Sequence, residues 1–158
     1  MQPISTCIWF NNQAEEAATF YTGIFPDTKV SNVMRYGQGM PGEPGSVMAM
    51  TVMLNDREFI FLNGNSGFTA PGAAISFFIK CNTQEEVDHY WDKLVDGGTP
   101  IRCGWLTDKY GITWQVVPVK MSQLMQSGNA QKSQKVAQAM MKMVKLDINE
   151  LQRVFDEA

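Results

Sequence analysis

Between Ser5 and Phe10 the chain is apolar, with β-branched and aromatic members, and the run stops at Asn11-Asn12, a turn and helix N-cap signal. From Gln13 the period changes. Ala14, Ala17, Ala18, Tyr21 and Ile24 recur at spacings of three and four, behind Glu15 and Glu16 where a helix start favours acids. Pro26 ends that helix. Three strand-like runs follow, Lys29 to Tyr36, Val47 to Leu54 and Glu58 to Asn63, the last two meeting at Asn55-Asp56, a hairpin signal. Gly37 to Gly45, GQGMPGEPG, is too rich in Gly and Pro for regular structure and reads as a mobile connection or a lid over a cavity.

The same sequence of signals then recurs. Ile75 to Cys81 is apolar, Asn82-Thr83 caps, and Gln84-Glu85-Glu86 opens a helix carrying Val87, Tyr90, Trp91 and Leu94 before Gly97-Gly98. An offset of 70 relates Glu15 to Glu85, Glu16 to Glu86, Tyr21 to Trp91 and Ile24 to Leu94, which predicts two copies of one unit. Pro100 to Leu106 and Ile112 to Val117 are the return strands of a shorter second copy, and Gly64 to Gly72 links the copies. The expected class is α+β: paired βαβββ modules over 1–118 (about 1–66 and 72–118) forming one domain, followed by a helical extension over 119–158. In that extension Gly128-Asn129 is a break, and Asp147 with Glu150 is an analogue of a capping box. Met140, Met141 and Met143 suit adaptable packing, against a partner chain or against the protein's own sheet.

Composition narrows the chemistry. Of 158 residues 44% are hydrophobic and 18% charged, so the chain folds rather than staying disordered. The net charge of −3 argues against nucleic acid as a partner. The start, MQPISTCIWF, lacks a basic region ahead of a long apolar core, and no run approaches the roughly 18 apolar residues of a membrane span, so no membrane partner is expected. Cys7, Cys81 and Cys103 show no CxxC spacing, as in a reduced compartment, and the cytoplasm is expected. The single histidine, His89, cannot by itself build a His-rich zinc site or a two-His iron triad. It lies mid-helix between Glu85 and Lys93, a solvated face.

Gly37, Gly39 and Gly42 spell GxGxxG after a strand, yet Glu43-Pro44-Gly45 and another strand follow, so no helix N-terminus is aimed at a phosphate. Cys103 beside Gly104 reads as a small apolar strand residue. Arg35, at a strand end beside the loop, could clamp an anionic ligand or make a surface ion pair. Phe61, Phe78, Trp105 and Trp114 fall on strands, as walls of an apolar pocket or as core.

The segments AEEAATFY, MRYGQGMPGEPGSVM, FLNG, TQEEVDHYWDKL, CGWLTDKYGITWQVVP and QAMMKMVKLDI, spread from about Ile4 to Ile148, resemble the vicinal-oxygen-chelate (glyoxalase, bleomycin-resistance and dioxygenase) superfamily. They are most similar to the subgroup labelled 3-demethylubiquinone 3-methyltransferase-like, or PhnB-like. The resemblance implies modules pairing their sheets into an open curved barrel around a cavity, and a homodimer. It also locates the metal-ligand positions of metal-dependent members near Thr6, Ser76 and Asn63 and on Gln115, none of which is a His or carboxylate. No metal and no cofactor are therefore expected, only a polar spot in an apolar cavity. The expected function is binding of an unidentified small molecule. The alternatives are a metal-dependent lyase, isomerase or dioxygenase, the methyltransferase of the subgroup label, or a non-catalytic structural or regulatory dimer.

Overall fold

The computed structural model describes residues 4–64 and 72–158. The chain divides into two compact units, Met1–Thr69 and Ala70–Ala158, each built on its own open four-stranded sheet. In the first, β1 (Thr6–Phe10) leads to α1 (Ala14–Thr22), then β2 (Lys29–Arg35), β3 (Val47–Leu54) and β4 (Arg57–Asn63). The sheet order is β1-β4-β3-β2, with β1 parallel to β4 and the other pairs antiparallel.

Alternation along β3 and β4 buries Met50, Val52, Phe59 and Phe61 on the face toward α1. Ala14, Ala17 and Ala18 are all buried, so the helix approaches closely, and the Tyr21 ring meets that of Phe61 at 5.9 Å between centroids. Each large side chain so buried contributes about 1.5–3 kcal/mol. The expected hairpin is present, with Asn55 and Asp56 at φ 46 and 60. Asn11-Asn12 does not cap α1. Gln13 holds the N-cap position without a side-chain bond, and Ala14 N–H donates instead to Oδ1 of Asn63, 2.8 Å away on β4. On edge strand β2 the register shifts between Ser31 and Met34, around Asn32 at φ 49, a bulge that disrupts the edge.

The second unit repeats this path. After a 3-10 turn (Gly72–Ala74) come β5 (Phe77–Cys81), α2 (Gln84–Val95), β6 (Thr99–Pro100), β7 (Trp105–Thr107) and β8 (Thr113–Pro118). The order β5-β8-β7-β6 has β5 parallel to β8, the same topology as the first sheet. Val87, Trp91 and Leu94 of α2 are buried, as are Leu106, Trp114 and Val116 of the sheet. Thr83 Oγ1 accepts from Glu86 N–H at 3.2 Å while Glu86 accepts from Asn82 N–H at 2.6 Å, so here the expected cap forms.

Two sequence expectations need correction. The offset of 70 holds for the helix starts, Ala14 and Gln84, but the last strand residues, Phe10 and Cys81, both buried, stand 71 apart. One residue fewer in the second cap puts Thr6 in register with Phe77 rather than Ser76. Pro100 to Leu106 is not one strand either. Cys103 and Gly104 take φ 62 and 80, breaking the extended backbone, and their N–H groups donate to the carbonyls of Met143 and Val144 at 2.8 Å. Cys103 is thus a loop residue. The linker stretch Gly64 to Gly72 lies outside the described residues, apart from its two end glycines.

The tail forms α3 (Val119–Met125), α4 (Ala130–Met140) and α5 (Ile148–Asp156), clustered on buried Leu124, Val136 and Leu151 with Met121, Met140, Met143 and Phe155 around them. Met141 is exposed. Asp147 caps α5 as expected, and Asn129, read from the sequence only as part of a break, caps α4. The tail is fastened to α2: Gln84 bonds Leu146 O at 3.2 Å and Ile148 N–H at 2.8 Å, and Lys145 pairs with Asp88 at 2.8 Å and Asp92 at 2.9 Å. Among the described residues, no helix is long and apolar enough to cross a membrane.

Candidate functional site

At one end of the first sheet a cavity of about 670 Å³ opens among β1, β3, β4, the start of α1 and the Gly37 to Gly45 loop. Its wall carries Trp9, Glu15, Tyr36, Gly42, Glu43 and Asn63. Alternation explains Trp9. Phe10 and its neighbour Asn63 face α1, so Trp9, beside Leu62, projects from the opposite face and is 49% exposed. The loop is closed at its base, where Tyr36 N–H donates to Ser46 O at 2.9 Å and Gly45 N–H to Tyr36 O at 2.8 Å. It then folds over the Tyr36 ring. A Cβ added at Gly42 would stand 2.3 Å from Cδ2 of that ring, and one at Gly64 would stand 2.9 Å from Nε1 of Trp9. Glycine at both positions lets backbone pack directly against each aromatic wall.

The polar groups of the wall are largely engaged. Tyr36 Oη donates to Asn63 O at 3.1 Å, Asn63 Nδ2 donates to Val47 O at 3.1 Å, and Ser46 Oγ donates to Glu43 O at 2.6 Å. Arg35 lies at the margin, donating to Gly45 O at 2.9 Å and pairing with Glu15 at 3.1 Å. Both partners are about half exposed, so this is a surface ion pair, and it contributes about 0–1 kcal/mol. It ties strand, loop and helix together.

The candidate residues of the sequence fall into two separate groups. In the first unit Thr6 sits beside Phe59, while Asn63 sits beside Phe10 at the far end of the strand, so the two are not brought together. Phe61 is fully buried against Phe10 and Tyr21 and belongs to the core. In the second unit Gln115 Nε2 does donate to Ser76 Oγ at 2.9 Å. Phe78 and Trp105 flank Gln115 on the neighbouring strands, and Phe78 is 50% exposed. These four share the sheet face turned away from α2. Trp114 points the other way, into the core, and its indole donates to Asp108 Oδ2 at 2.8 Å.

Trp9, Glu15 and Tyr36 were not singled out as wall residues from the sequence, whereas the Gly37 to Gly45 loop that carries Gly42 and Glu43 was read as a connection or a lid over a cavity. The available signal was the alternation of β1, which offers Cys7 and Trp9 as the set opposite Thr6 and Phe10. Among the described residues, no group of three or more His, Cys, Asp or Glu is placed to hold a metal ion. His89 is exposed on α2, its ring 5.1 Å from that of Tyr90.

The family model of 3-demethylubiquinone-9 3-methyltransferase matches residues 2–117. Among solved structures, the PhnB protein from Bacillus cereus is 35% identical, with a TM-score of 0.69 over 75% of this chain and 100% of that one. A protein from Pseudomonas aeruginosa, 16% identical, shares the fold with a TM-score of 0.60 over 75% of this chain and 98% of that one. So does the fosfomycin resistance protein FosX from Listeria monocytogenes, 12% identical, with a TM-score of 0.53 over 77% of this chain and 98% of that one. No curated protein matches. The duplicated βαβββ topology and these likenesses agree: the chain belongs to the 3-demethylubiquinone-9 3-methyltransferase (PhnB-like) family, within the vicinal oxygen chelate superfamily.

Proposed function

We propose that this protein binds a small organic molecule in the pocket of its first unit, acts as a homodimer, and uses no metal at the positions where metal-dependent relatives hold one. The observation that carries the reading is the cavity of about 670 Å³, walled by two aromatic rings that glycine backbone packs against. Its size falls within the range of small-molecule sites, about 300–1,000 Å³. The metal-free reading is supported by Asn63, whose amide is engaged by Ala14 N–H and Val47 O, and by Gln115, which bonds Ser76. Neutral hydroxyls and amides so engaged are poor partners for a dication.

The methyl transfer in the family's name is the second reading, favoured by the match over residues 2–117. A glycine-loop site for S-adenosylmethionine directs a helix N-terminus at its ligand, whereas Gly37 to Gly45 runs into β3, a strand. Its test is calorimetric titration with S-adenosylmethionine, for which no heat of binding is expected.

A native mass spectrum of gently purified protein tests the first reading. Expected is a metal-free dimer carrying an additional small mass that is lost in Gly42→Ala, which pushes a methyl group into Tyr36. One tightly held metal per chain would return the enzyme reading to first place.

A further inference from the structure

We infer that the pocket of the first unit takes an organic ammonium ion, an amine on a flat or apolar body; this rests on the reading of the pocket as a ligand site. Among the described residues its wall contains two carboxylates, Glu15 and Glu43, and no Lys, Arg or His. Glu15 shares its charge with Arg35 at the margin. The Glu43 carboxylate has no hydrogen bond or ion pair among the described residues, so the wall keeps negative charge after Arg35 is counted.

The aromatic rings add to this preference. An aromatic face attracts a cation through its quadrupole, Trp most strongly, and Trp9 is 49% exposed at the pocket. Tyr36 has its hydroxyl already donated to Asn63 O, so what the ring offers a ligand is chiefly its π surface. The wall's side-chain donors for an anion are all neutral by contrast, and several are engaged. The Asn63 amide is spent on Val47 O, the Ser46 hydroxyl on Glu43 O, and the Ala14 N–H at the start of α1 on Asn63 Oδ1. An anion here would meet two carboxylates and no cationic side chain, the wall's side-chain donors being the neutral amides of Asn12 and Asn63, the Trp9 indole and the Tyr36 and Ser46 hydroxyls.

Three probes with one aromatic body and different charge test the inference on the full chain: tyramine, 4-ethylphenol and 4-hydroxyphenylacetate. Binding is read from amide shifts of Gly42 and Gly64 and from the Trp9 indole N–H, identified by its loss in Trp9→Phe. Tyramine is expected to bind about tenfold more tightly than 4-ethylphenol, with the acid weakest, and added salt to weaken only tyramine. Glu43→Gln, an exposed loop substitution, is expected to lower tyramine affinity several-fold and leave 4-ethylphenol unchanged. Equal binding of tyramine and 4-ethylphenol at these resonances, or tighter binding of the acid, overturns the ammonium inference and leaves the pocket as a ligand site. Silence of all three probes at these resonances overturns both.

Discussion

The side chain of Asn63 accepts the backbone N–H of Ala14 at 2.8 Å, so the last residue of β4 supplies the capping bond that residues next to α1 do not. Its amide also donates to Val47 O at 3.1 Å. One buried side chain thereby joins the helix to two strands beneath the pocket. Asn63→Ala leaves a buried donor and a buried acceptor unpaired, and a loss of about 2 kcal/mol is expected from urea unfolding monitored by circular dichroism.

Asp108 in the second unit is buried and bonds three donors: the indole of Trp114 at 2.8 Å and the N–H groups of Tyr110 at 2.9 Å and Ile112 at 3.0 Å. Asp108→Ala orphans all three, and about 3 kcal/mol of destabilisation is expected, since bonds to charged groups contribute about 1.5–3 kcal/mol. Near-ultraviolet circular dichroism from Trp114 should weaken as well. An unaltered urea midpoint would show that the turn does not depend on this carboxylate.

The tail is held to α2 by a charge contact that depends on pH. Hydrogen bonds from Lys145 and then Gln84 hold the Asp88 carboxyl below its ordinary value. The stability it gives is therefore complete above the unfolded carboxyl value and is lost as pH falls through the lower folded one. Burial lowers the Lys145 ammonium, but the bonds to Asp88 and Asp92 outweigh this and raise it, so Lys145 keeps its charge throughout the acid range. The gap in urea midpoint between the unaltered protein and Lys145→Ala is expected to be constant near neutrality and to narrow toward pH 3. A gap independent of pH would assign the contact to the packing of the lysine stem.

The cysteines should separate by reactivity. Burial, and then the charge of Glu86, push the Cys81 thiol up to about 12, and the residue is fully buried. Cys7 is exposed on β1, with a thiol raised by partial burial. Peptide mapping after brief alkylation at pH 8 is expected to find Cys7 modified and Cys81 unmodified until urea is added.

Much of the fold was legible where spacing is local. The α1 stripe of Ala14, Ala17, Ala18 and Tyr21 needs only the 3.6 period, and Asn55-Asp56 needs only its left-handed turn. The duplication was legible too, but an offset carried from helix to strand missed the residue lost between Cys81 and Gln84. In a strand one residue reverses the face, so Thr6 was equated with Ser76 instead of Phe77.

The sequence by itself determined the two βαβββ units, their helical tail and the family, because periodicity, turn residues and repeated order are properties of neighbours along the chain. The tertiary structure alone decided that Asn63 caps α1, that Phe61 and Trp114 are core, and that Trp9, Tyr36, Glu15 and Glu43 share one cavity. Those relations join residues tens of positions apart, through strand register and the closure of a glycine loop over a ring. They exist only once the sheet has formed.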